Sequence, residues 1–139
     1  MIRFLVAAAV LALASPVSAQ VAGNRLTFTF ETGADTGAVL VALYDSEAAY
    51  ASGAPVRAAR VDVAAGARDA VFEGLPAGAY GMKAVHDVNG NGKMDMNPFG
   101  MPAEPYAFSN NAVGNMGPAG WDRARFEVSG ETAQTIRIR

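Results

Sequence analysis

The chain predicts an all-β fold: an antiparallel β-sandwich of about seven strands carrying one long irregular loop. Two observations lead there. Short segments of alternating or continuous apolar residues recur along the chain with Gly- and Pro-rich turn signals between them. One later stretch, from Asp87 to Asp122, loses all periodicity yet keeps its aromatic residues.

The N-terminus stands outside that fold. Arg3 supplies a positive start, Phe4 to Ala14 is an apolar run, and Val17-Ser18-Ala19 is a small-residue cleavage site. The run is too short to span a bilayer. Residues 1–19 therefore read as a secretory signal peptide, and the exported domain as 20–139, with Gln20 first. The destination is the periplasm or the extracellular space. With no Cys the domain has no disulfides, so a metal-closed loop is one way to supply constraint. The formal charge of -2 becomes -3 once Arg3 is removed, which gives no reason to expect nucleic acid. No second apolar run is long enough for a membrane span.

Along the chain, Arg25–Glu31 alternates, with Leu26, Phe28 and Phe30 on one face. Ala38–Tyr44 is nearly continuous apolar and reads as a central strand. Asp45 and Ser46 can cap a helical turn over Glu47–Ala51 that Gly53 ends. Val56–Val63 and Arg68–Glu73 are further strands. Leu75-Pro76-Ala77-Gly78-Ala79-Tyr80 is a tight turn, and the tyrosine two residues after Gly78 suits a tyrosine corner. A strand from Tyr80 to His86 runs into the loop. Arg123–Val128 and Thr132–Ile138 close the chain as a hairpin about Ser129-Gly130. The pattern is that of an immunoglobulin or transthyretin-like Greek key.

The loop opens with the one stretch that carries chemistry. Counted from Asp87, oxygen donors fall at Asp87, Asn89, Asn91, the Lys93 carbonyl and Asp95, with Gly92 at the sixth position. That is the spacing by which a short loop wraps calcium, because alternation aims successive side chains at one centre. The twelfth position, usually glutamate, is Pro98, so Asn97 or Glu104 would complete the shell from outside. Calcium is the expected ion; magnesium keeps its waters and fits less well. The competing explanation is that Asp, Asn and Gly are simply turn formers. Met94, Met96, Met101 and Met116, with His86 ahead of them, raise copper(I) as an alternative. Methionine is also an adaptable gap filler. His86 is the sole histidine, and no Cys–His pair accompanies it.

His86-Asp87-x-Asn89-x-Asn91-Gly92-Lys93-x-Asp95, then Gly100-x-Pro102-x-Glu104-x-Tyr106-x-Phe108-Ser109-Asn110-Asn111, then Trp121-Asp122-x-Ala124-x-Phe126 resembles a bacterial exported family catalogued as a domain of unknown function, DUF2141. The Leu75-Pro76-x-Gly78-x-Tyr80 turn belongs to the same resemblance. The glycine usual between the tyrosine and phenylalanine is Ala107 here. The resemblance implies an exported β-sandwich and supplies no reaction. The reading is a non-enzymatic binding or envelope-associated domain. Glu104, Tyr106, Phe108, Ser109, Asn110, Asn111 and Trp121 are its expected ligand surface, suited to a carbohydrate, a peptide or an envelope component. The alternatives are a hydrolase of envelope material and a periplasmic copper(I)-binding protein.

Overall fold

The computed structural model describes residues 23–115 and 117–138. The signal peptide, its cleavage site and Met116 lie outside the described residues. Two sheets face each other. The first has the order β4-β1-β8, from β1 (Asn24–Glu31), β4 (Asp69–Leu75) and β8 (Glu131–Arg137). The second runs β3 (Arg57–Asp62), β2 (Ala38–Tyr44), β5 (Gly78–Asp87) and β6 (Tyr106–Phe108). β7 (Phe126–Val128) pairs with the first half of β5, on the edge whose second half β6 occupies.

The strand sequences explain this arrangement. Leu26, Phe28 and Phe30 on β1 and Ala70 and Phe72 on β4 turn inward, as period two demands. They meet Val39, Val41 and Leu43 of β2 and Tyr80, Met82 and Ala84 of β5. Phe28 lies edge-on to both Phe72 and Phe126, at ring-centroid distances of 6.4 and 5.8 Å. The expected corner is formed: the Tyr80 hydroxyl donates to Pro76 O at 2.7 Å. Ser46 caps helix α1 (Glu47–Ser52) by accepting from Ala49 N, and Gly53 closes it at φ 74°.

Two expectations are corrected. The last two strands form no hairpin. β7 stays with β5, while β8 crosses through Ser129-Gly130 to the other sheet and pairs with β1 in parallel, Arg25 opposite Glu131 through Glu31 opposite Arg137. Ile136 and Ile138 alternate as anticipated, but alternation sets the buried face and not the neighbour. The stretch 87–122 is also not one loop. β6, a 3₁₀ turn at Ser109–Asn111 and helix α2 (Trp121–Ala124) divide it, so Arg123 and Ala124 are helical rather than strand. The described strands number eight.

The outer face of the second sheet carries a smaller core. Tyr44, Tyr50, Phe108, Ala119 and Ala124 are buried together there, with Trp121 packed beside them. Gly81 makes room for it: a Cβ at that position would stand 2.8 Å from the Trp121 ring. The Tyr50 hydroxyl donates to Ala119 O at 2.6 Å and so fixes the segment leading to α2.

Candidate metal loop and neighbouring groove

Asp87 ends β5, and its buried carboxylate organises the turn beyond the strand. Oδ1 accepts from Asn91 N at 3.1 Å and Oδ2 from Gly92 N at 2.7 Å. Gly90 and Gly92 take φ of 71° and 80°, which glycine adopts without strain. The Asn89 oxygen accepts from Asn91 N, and the Asn91 oxygen from Lys93 N. The two side-chain amides both turn to Asp95, donating to Oδ2 at 2.6 Å from Asn89 and to Oδ1 at 2.7 Å from Asn91. Asn89, Asn91 and Asp95 are thus joined by their side chains, while Asp87 is bonded to the backbone of the same turn. The backbone of Lys93 lies in the same turn.

Glu104 enters from outside that loop. It is 7% exposed. Its second oxygen, Oε2, is buried without a hydrogen-bond partner. Loss of water pushes its pKa up, and the charges of Asp95 and Asp87 push the same way. The Asp95 carboxyl is held below its ordinary value by the Asn89 and Asn91 amides. Asn97 is committed elsewhere: its oxygen accepts from Phe99 N and Met101 N, both at 3.0 Å, closing the 97–101 turn. Among the described residues no three carboxylate or imidazole side chains form a closed cage. The Asn89 and Asn91 oxygens are taken up by backbone N–H groups and their amide nitrogens face Asp95, so the buried oxygen left without a partner here is Oε2 of Glu104.

The other expected site residues divide. Ser109 is fully buried; it accepts from Met82 N at 2.9 Å and donates to Ala124 O, tying β5 to α2. Asn110 and Asn111, at φ 61° and 52°, tie the 3₁₀ turn to the end of α2 and to β8. Asn110 donates to Arg123 O and Arg125 O. Asn111 donates to Thr135 O and accepts from Arg137 N, as a neighbouring strand would along β8. Phe108 is buried, and Trp121 packs on Tyr50 with ring centroids 5.6 Å apart. Tyr106 remains open to solvent. His86 is fully buried on the inner face, opposite Val39. Its Nε2 donates to Thr36 O at 2.7 Å, since a carbonyl can only accept. Met94, Met96 and Met101 lie across the sheet from it, on the outer face.

Those methionines border the feature that sequence reading missed, an open groove of about 1140 Å³ on the outer face of the second sheet. Strand register could have pointed to it only if the pairing of β2, β3, β5 and β6 had been known.

Fold and loop together define an all-β sandwich that holds an oxygen-rich loop at the end of its central strand. The chain belongs to the bacterial family described as an uncharacterized protein conserved in bacteria, DUF2141, whose family model matches residues 31–137. Comparison with curated proteins and with solved structures returned no match. Among the described residues no helix is long and apolar enough to cross a membrane.

Proposed function

We propose that this is an exported, non-enzymatic binding or envelope-associated domain whose Asp87–Glu104 loop is organised by calcium. One observation carries the reading: the buried Glu104 carboxyl group, with Oε2 unpartnered, beside the Asp87 and Asp95 carboxylates. A buried acid beside two like charges is relieved by a proton or by a cation, and a cation would also draw Asp87 and Asp95 together with it. Calcium accepts six to eight oxygens in flexible geometry, and Asp87, Asn89, Asn91, Asp95, Glu104 and the Lys93 carbonyl supply that many donors. The ion's role would be to fix the loop, whose far side borders the outer-face groove. Periplasm or cell exterior is the compartment that the N-terminal signal implies.

Isothermal titration tests this. The chain should bind one calcium in the weak extracellular range, Kd roughly 10⁻⁴ to 10⁻³ M. Glu104→Gln keeps the shape but removes the charge, and should weaken binding at least tenfold. Asn97→Ala should leave it unchanged. Absence of binding heat in the unmutated chain, or equal affinity in Glu104→Gln, would refute the reading.

A further inference from the structure

The floor of the outer-face groove consists of two rows that cross four strands. Ala58, Ala42, Lys83 and Phe108 stand side by side in one, Arg60, Leu40, Val85 and Tyr106 in the other. The alanines keep it deep, and Met94, Met96 and Met101 stand on its border. Methionine gives an apolar wall that adapts to an irregular guest. The volume, about 1140 Å³, is somewhat above the roughly 300–1,000 Å³ of most small-molecule sites, as an open groove allows.

Among the cations of the floor, Lys83 is the one held against aromatic rings. Lys83 Nζ donates to Tyr50 O at 2.7 Å and lies 4.2 and 5.1 Å from the Tyr50 and Tyr44 ring centroids. Among the described residues no carboxylate pairs with it. A carbonyl and two ring faces orient the ammonium but leave its charge uncancelled. Partial burial lowers its pKa, which is the mark of a cation short of a counter-charge. Arg60, the other cation of the floor, is exposed and lies 4.0 Å from Asp62.

We propose that the groove binds a single-chain amphiphile of the fatty-acid class, its carboxylate on Lys83 and its hydrocarbon chain over Leu40 and Val85 between the methionines. With Arg60 beside Asp62, Lys83 is the one partly buried cation of the floor without an ion-pair partner, and one such charge matches a carboxylate better than a dianionic phosphate monoester. The assignment names a ligand class for the binding-domain reading but does not rest on the calcium ion.

Displacement of cis-parinaric acid by dodecanoate and by 1-dodecanol tests it, in calcium and again in EDTA. Dodecanoate should displace the probe at least tenfold more effectively than the alcohol in both media, so failure of the ion reading would leave this result standing. Lys83→Met keeps the apolar stem and should remove that preference while leaving dodecanol within about twofold. Ala58→Trp fills the groove from an exposed edge strand and should block both compounds without lowering the melting temperature by more than a few degrees. Failure of the unmutated chain to bind the probe would overturn the proposal. So would equal affinity for acid and alcohol, or unaltered binding in a folded Ala58→Trp.

Discussion

Tyr80 closes a local turn and Ser109 holds distant backbone together, each with one hydroxyl, and only the first role is visible in the sequence. The Pro76–Tyr80 spacing places a donor over a local turn, and the 2.7 Å bond to Pro76 O is the result. Tyr80→Phe keeps the ring and should cost about 0.5–1.5 kcal/mol, read as a lower urea midpoint at unchanged slope. Ser109 bridges Met82 and Ala124, a contact that no local pattern encodes, so in the sequence it reads as one more polar residue of a loop. Ser109→Ala leaves a buried N–H and a buried carbonyl unpaired, at about 1–3 kcal/mol each. The same unfolding experiment should therefore show a larger loss than Tyr80→Phe; an equal or smaller one would mean water replaces the hydroxyl. Asn110 and Asn111 obey the same logic: their amides serve the end of α2 and strand β8, and their left-handed backbone is one that asparagine tolerates.

At the scale of elements, legibility tracked length and locality. β2 and the α1 turn with its Ser46 cap could be read directly, because periodicity and caps are local. β6 and β7 have three residues each, too few for a period, and their pairing with β5 depends on chain far away. The α1–α2 layer rests on Tyr50, whose pKa is pushed up to about 12, first by burial and then by Tyr44. Its un-ionised hydroxyl is the donor to Ala119 O. A tyrosine raised in the folded state contributes stability that is complete below the ordinary value near 10 and is lost as pH rises from there through about 12. Urea midpoints should thus fall between pH 10 and 12, and less steeply in Tyr50→Phe. Parallel slopes in the two proteins would show that Tyr50 ionises freely.

For the whole molecule, the sandwich was legible and the site partly so. Five donors in register identified the Asp87–Asp95 loop. They left Asn97 and Glu104 equal candidates; in the fold Asn97 closes its own turn, and Glu104 is carried inward by the chain entering β6. The groove was not legible, since its two rows exist only once four strands are aligned. Export is checked by mass spectrometry of the protein from its host; an N-terminus at Gln20 is expected, and retention of residues 1–19 would refute it. The central claim is that the loop is a calcium site, and thermal melting with calcium against chelator tests it most directly. An ion that binds only the folded chain adds about 2.7 kcal/mol at a hundredfold excess over Kd. The melting temperature should rise with calcium, fall with EDTA, and respond to neither in Asp87→Ala or Asp95→Ala, while Lys93→Ala behaves as the unmutated chain. A melting temperature indifferent to several millimolar calcium, with both alanine variants matching the unmutated chain, would show that these residues are turn formers and nothing more.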